Sequence, residues 1–301
     1  MTLLDRIAPR PERLATPMTC PGCRASIVVP AETFHLDVYQ IHRCSACGSV
    51  ATSPLPSAET LTAHYATYNE TYTAGMGEER YRREMPKRWS ARIDVIERLG
   101  GAGRMLDLAG SNGLFGSIAH ARGFRVDVAD FITAPKDLGF TTAQPANLNK
   151  HGGVPFPDAA FDVVTLWSCI EHVSDPETCL AETYRLVRPG GLVAIDTPLV
   201  GDLCERLFSA RSHWICPPEH LHCFSAGGLA MAVERAGFDV VFAAPFFERT
   251  VPRWIARRGR NLAVAARGLL VRAVAKERWS RERESAETPA GDIQFLIARK
   301  R

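Results

Sequence analysis

From Arg104 onward the chain alternates short apolar runs with segments of helical spacing, and this alternation limits the fold more than any other feature. The runs are "RMLDLA", "FRVDVAD", "FDVVTLW", "LVAIDTP", "FDVVFAAPF" and the closing "DIQFLIARK". Most are apolar throughout rather than alternating, as strands covered on both faces are. The pattern predicts an α/β fold, a doubly wound and mostly parallel sheet with helices on both sides. Ahead of it, "ERYRREMPKRWSARIDVIERLG" sets Trp89, Ile93, Ile96 and Leu99 at helical spacing and ends at Gly100-Gly101. That predicts a helix whose arginines form a solvated face.

The first run leads into "AGSNGLFG", a strand feeding a helix through a tight turn. Such turns bring backbone amides close to a ligand. Gly110, Gly113 and Gly116 lie three apart, so the dinucleotide fingerprint is missing, and no Walker lysine follows. Asp107 closes the first run beside the turn, where a carboxylate can face an amino group. Asp130 closes the second, placed to take both hydroxyls of a ribose. A ribose joined to a positive amino-acid moiety, with no pyrophosphate, describes S-adenosylmethionine.

The chain resembles the class I S-adenosylmethionine-dependent methyltransferases. The run from Met105 is similar to that family's first motif, D-x-G-x-G-x-G. "VPFPDAAFDVVTLWSCIEHVSDPETCLAETYRLVRPGGLVAIDTP" resembles its stretch from before the fourth strand through the fifth, and "ERAGFDVV" its approach to the sixth. The resemblance implies a seven-stranded Rossmann-like sheet. It also implies that Asp107 and the turn Ala109, Gly110, Ser111, Asn112 and Gly113 hold the methionine end of the cofactor. Asp130 would bind the ribose, Phe131 would pack on adenine, Asn147 would accept from the adenine amino group, and Ser168 would line the pocket near the methyl. The family's first two motif glycines are Ala109 and Ser111 here; a Cβ at either costs strain only if φ is positive.

The N-terminus carries a second signal. "CPGC" (Cys20, Cys23) and "CSAC" (Cys44, Cys47) are two C-x-x-C pairs flanking short β-like runs. Two facing knuckles complete a tetrahedral four-thiolate site, so the segment resembles a zinc ribbon with a structural ion; iron fits the same ligands. His35 and His42 inside it are expected on the surface or in packing. The expected organisation is a tail at 1–17, the ribbon at 18–50, a linker at 51–75 and the methyltransferase domain at 76–301, with a basic insertion at 252–285.

In-line methyl transfer needs proximity and, for a hydroxyl acceptor, a base. "IEHV" places His172 after the fourth strand, and "HWICPPEHLHCFS" gathers His213, Glu219, His220 and His222 in a proline-broken loop. His172 and His220 are the expected bases, facing one pocket; a metal is the lesser reading of that loop. Cys169, Cys179, Cys204, Cys216 and Cys223 are expected to pack. The expected activity is methylation of a small or glycosylated metabolite, at oxygen by preference. An RNA methyltransferase gripping its substrate with the ribbon, and a non-catalytic cofactor-binding or interaction protein, are the alternatives.

Against nucleic acid stand the formal net charge of +3 and the string "WSCIEH", which lacks an N/D-P-P-Y element for a flipped base. The stretch 253–283, if helical, is basic and amphipathic, fit for an anionic membrane or an acidic partner. With 301 residues, 46% of them hydrophobic, no apolar run long enough to span a bilayer and no secretory core, a soluble cytoplasmic chain is expected.

Overall fold

The computed structural model describes residues 18–27, 33–36, 38–66, 78–131, 135–200, 214–245 and 292–301. The tail, His213, Cys204, the back of the expected linker and the basic insertion lie outside them. In chain order the elements are β1 (Met18–Thr19), β2 (Ser26–Ile27), β3 (Thr33–Leu36), β4 (Tyr39–Arg43), β5 (Val50–Ser53), α1 (Ala58–Ala66) and α2 (Glu78–Arg98). Then come β6 (Arg104–Leu108), α3 (Leu114–Ala121), β7 (Arg125–Asp130), β8 (Lys136–Asp137), β9 (Thr142–Pro145) and β10 (Phe161–Trp167). The chain continues with α4 (Pro176–Leu186), β11 (Val187–Leu199), β12 (His222–Cys223), α5 (Ala226–Arg235), β13 (Phe238–Pro245) and β14 (Asp292–Lys300).

Two compact units result. One gathers Met1–Leu55, Pro198–Leu229 and Pro245–Ile293; the other Pro56–Thr197, Ala230–Ala244 and Gln294–Arg301. The sequence-read boundaries differ: residues 50–53 form β5 of the first unit, and 198–229 return to that unit from far along the chain.

The second unit holds one sheet in the order β13-β14-β11-β10-β6-β7-β9-β8. β11, β10, β6, β7 and β9 run parallel to one another, and β8 turns antiparallel at the edge. The seven expected strands are therefore present, with a two-residue strand added beyond the seventh. The burial is that of a sheet covered on both faces: Met105, Leu106, Leu108, Val163, Val164, Leu166, Val193 and Ile195 are all fully buried. Register along β10 sets Thr165 opposite Asp107 and Trp167 opposite Asp196, which brings these polar residues level at the carboxyl edge.

α2 buries Trp89, Ile93 and Ile96 as its spacing requires, but its arginines do not all face water. Arg92 is 3% exposed, lies over the rings of Trp89 and Trp167, and pairs with buried Asp196. The two indole faces and the carboxylate replace the water that a buried guanidinium loses.

α4 starts under an Asp175 cap that accepts from the N–H of Glu177 and Thr178, with Pro176 in the first turn. Its Glu182 and Arg185 staple the preceding loop. Glu182 accepts from the N–H of Gly152 and Val154, while Arg185 donates to the carbonyls of Val154 and Phe156. Burial opposes charge on Glu182, yet Arg185 and the two amides outweigh it and hold the carboxyl at about 2.

The first unit is built on the sheet β12-β5-β4-β3. Ile41, Val50, Val200, Ile215 and Cys223 form its apolar cluster. A second cluster packs Ile27 and Ala51 with Cys20 and Cys44. His42 is fully buried and hydrogen-bonded to Ser53 Oγ at 2.9 Å, a packing role as expected. No helix among the described residues is long and apolar enough to cross a membrane.

Candidate functional site

The turn between β6 and α3 is shaped by three left-handed residues, Ala109 (φ 57°), Ser111 (φ 51°) and Gly113 (φ 75°). Both departures from the glycine pattern thus fall where a side chain is strained, at roughly 1–2 kcal/mol each. Gly110 between them is needed for a different reason. A Cβ there would stand 2.7 Å from Asp107 Oδ2 and 2.7 Å from Val128 Cγ1, so the backbone passes directly over the acid.

The strain is offset locally. Ala109 N–H donates to the Ala129 carbonyl, and Ser111 N–H to Asp130 Oδ2. Asn112 Oδ1 accepts from Leu114 N–H at the start of α3. The turn is closed against the ends of both flanking strands.

Asp107 is fully buried. Its Oδ1 accepts from Thr165 Oγ1 at 2.9 Å, and its Oδ2 has no hydrogen-bond partner among the described residues. Burial raises its pKa to about 7, with Asp130 and Asp196 adding to the rise and Thr165 opposing it. A buried oxygen of this kind is costly unless a ligand donor meets it. Asp130 is likewise raised by burial, against which the Ser111 and Phe131 amides act. Phe131 follows with 59% of its surface exposed, a free aromatic face beside the acid.

Asn147 caps its own turn: its Oδ1 accepts from Asn149 N–H at 3.0 Å. Ser168 sits past β10 with φ 44°, its N–H donating to Asp196 Oδ1 at 2.7 Å. All the expected cofactor residues therefore fall in one unit, along the carboxyl ends of β6, β7, β9 and β10.

His172 lies a few residues beyond Ser168. Its Nδ1 is 2.9 Å from the Tyr65 hydroxyl, and its Nε2 is 3.9 Å from Glu171 Oε1. Neither Tyr65 nor Glu171 is among the expected site residues; Tyr65 is one of three tyrosines in its stretch, and no spacing singles it out. In the other unit, His220 Nδ1 donates to the Trp214 carbonyl at 2.6 Å, leaving Nε2 3.7 Å from Glu219 Oε1. His222 is buried. Cys216 and Cys223 each offer a thiol to the Trp214 carbonyl. Burial pushes Cys179 up to about 12 and holds Cys169 well above the usual thiol value, as inert packing thiols require.

Cys20, Cys23, Cys44 and Cys47 converge, with all four Sγ within 4.8 Å of one another. Cys20 and Cys47 are 3.5 Å apart, and Cys23 and Cys44 are 3.6 Å apart. A tetrahedral zinc with about 2.3 Å bonds sets its sulfurs about 3.8 Å apart, so the cluster has the size and chemistry of a four-thiolate site. Contact with the Cys20 thiol lowers Cys47 to about 4.

A parallel sheet in this order, with two acids at the ends of adjacent strands and a tight backbone turn between them, defines a nucleoside-binding α/β enzyme domain. The chain belongs to the Methyltransferase domain family, which matches residues 81–242, and it is an S-adenosylmethionine-dependent methyltransferase. A probable S-adenosylmethionine-dependent methyltransferase of Mycolicibacterium smegmatis is 29% identical over 245 residues, covering 76% of this chain and 83% of that protein. The malonyl-[acyl-carrier protein] O-methyltransferase of Serratia marcescens is 35% identical over 121 residues, covering 37% of this chain and 47% of that one. Against this relative the chain spans about half its length. The fold is shared with the 1,6-didemethyltoxoflavin-N1-methyltransferase of Burkholderia thailandensis, at TM-score 0.52 and 18% identity, over 90% of this chain and 99% of that one.

Proposed function

We propose that the chain transfers the methyl group of S-adenosylmethionine to a hydroxyl oxygen of a small or glycosylated metabolite. The buried Oδ2 of Asp107, the close backbone over Gly110 and the exposed Phe131 fit the cofactor's amino-acid and adenosine ends. In that reading Asp107 and the turn from Ala109 to Gly113 hold the amino-acid end, Asp130 holds the ribose, and Ser168 borders the methyl. The bound cofactor supplies an activated methyl on a positive sulfur, whose departure needs no acid. What remains for the protein is alignment, exclusion of water and removal of the acceptor proton.

His172 is the observation that carries the choice of oxygen. An imidazole with a fixed partner on Nδ1, at the carboxyl edge of the sheet, suits a proton released near neutral pH. His220, oriented by the Trp214 carbonyl, is the second base candidate. The Serratia relative's name, that of an O-methyltransferase, supports oxygen as the accepting atom. A panel of hydroxylated small molecules and glycosides, incubated with radiolabelled S-adenosylmethionine, tests the assignment. Methyl ethers as products are the expected outcome; label on carbon or nitrogen alone overturns it.

We also propose a structural zinc on Cys20, Cys23, Cys44 and Cys47. About one zinc per chain by elemental mass spectrometry, lost in Cys44→Ser, is expected; a metal-free folded chain overturns it.

A further inference from the structure

Four polar side chains are linked beyond the carboxyl end of β10 and beside the last residues of β11, apart from the cofactor turn. The Tyr65 hydroxyl, near the end of α1, meets His172 Nδ1 at 2.9 Å, and the two rings pack edge to face at 6.0 Å. His172 Nε2 stands 3.9 Å from Glu171 Oε1, an ion-pair rather than a hydrogen-bond distance. Glu171 is fully buried, and its Oε2 accepts from Thr197 Oγ1 at 2.8 Å. The sheet needs none of these groups for its ladder. A phenol, an imidazole and a buried carboxylate in series are costly to desolvate and specific once formed. The Glu171 carboxylate beside Nε2 favours the proton there, which leaves the Nδ1 lone pair toward Tyr65.

We propose that Tyr65, His172 and Glu171 form a proton relay in which the Tyr65 oxygen takes the acceptor's proton. The proposal rests on the O-methylation reading above. With Nδ1 committed to Tyr65 and Nε2 turned to Glu171, His172 reaches the acceptor through the phenol rather than directly. As the acceptor oxygen bonds to the methyl carbon, the carbon–sulfur bond breaks and its electron pair stays on sulfur. The acceptor O–H proton passes to the Tyr65 oxygen, and the proton of Tyr65 passes to His172 Nδ1. The positive charge lost at sulfur reappears on the imidazole, beside the Glu171 carboxylate. Tyr65 is then a catalytic residue, and Glu171 a positioning residue acting through His172.

The full chain, labelled with 15N at histidine, reads the relay by NMR without any acceptor. His172→Gln assigns the two ring nitrogens of His172. Tyr65→Phe, which keeps the ring and its packing, is expected to shift the His172 Nδ1 signal and leave the other imidazoles in place; an unmoved signal overturns the relay. With an acceptor from the panel above, Tyr65→Phe should lower kcat by about 10²–10⁴-fold while KM for S-adenosylmethionine stays the same. Glu171→Gln should shift the acid limb of the pH–rate profile. A Tyr65→Phe kcat within about two-fold of wild type overturns the relay and leaves the methyltransferase intact. A wild type that methylates carbon or nitrogen only overturns both, and calorimetric cofactor binding by the same variants separates these cases.

Discussion

Asp130 Oδ2 accepts the Ser111 main-chain N–H at 2.5 Å, so the acid that ends β7 also holds the strained turn between β6 and α3. One carboxylate thus shapes the turn and, in the proposed reading, also binds the ribose. Asp130→Ala should therefore abolish S-adenosylmethionine binding and also lower stability by about 1–3 kcal/mol, through the unsatisfied amide. Asp130→Asn keeps an acceptor for Ser111 and should retain most of the stability while losing affinity. Calorimetry with chemical denaturation of both variants checks the pair; equal stability losses would show that the tether is not the reason.

Glycine at 109 or 111 restores a residue at ease with positive φ. Relief of about 1–2 kcal/mol of strain is partly cancelled by about 0.5–1 kcal/mol of backbone entropy. Each of Ala109→Gly and Ser111→Gly should leave the chain as stable or up to about 1.5 kcal/mol more stable. Gly110→Ala should do the opposite, because its Cβ would meet Asp107 and Val128 at 2.7 Å. Urea unfolding of the three single variants gives the comparison.

The raised Asp107 produces a pH dependence of definite sign. Its carboxyl titrates at about 7 when folded and near 3.9 when unfolded. Between those values the folded chain holds a proton that the unfolded chain has released. Its stabilising contribution is complete below about pH 4 and is lost as pH rises towards about 7. Asp107→Asn should flatten this part of the curve in ligand-free protein. If the ionised acid meets the cofactor's amino group, binding should tighten over the same window by up to about tenfold per pH unit. Titrations at pH 5, 6, 7 and 8 measure it, and the Asn variant should show no such trend.

Arg185→Ala strands the buried carboxylate of Glu182 and frees the loop that carries Asn147. A loss of about 3 kcal/mol is expected, typical of a broken buried pair. Glu182, held at about 2, contributes stability that is present above about pH 4.5 and lost as pH falls towards 2. The variant should lose that acid limb, as thermal melts at pH 3 and pH 7 would show.

What the sequence made legible was whatever rested on continuous apolar runs and paired cysteines. β6, β7, β10, β11, β13 and β14 all stand on runs visible in the chain, and the four thiolates do converge. β8 and β9 were not visible, because "KD" and "TAQP" carry no apolar run and owe their strand form to the edge they complete. Arg92 was read with a solvated face, since nothing local shows that two tryptophans and Asp196 wait for it. Positive φ at Ala109 and Ser111 was equally hidden: a glycine would have announced it. Tyr65 reaches His172 across more than a hundred positions, a pairing that no spacing rule reads.

The pairing of β5 with β12, Val50 opposite Cys223 and Ala51 opposite His222, has a consequence for synthesis. The N-terminal sheet cannot be finished until residue 223 has been made, although its cysteine knuckles are complete by residue 47. At about 5–20 residues per second that wait lasts on the order of ten seconds or more. Through it, the β5 edge stands open on the ribosome as a template for stray strands. Early capture of a metal would hold the knuckles closed meanwhile, so metal supply during translation should govern how much chain escapes aggregation.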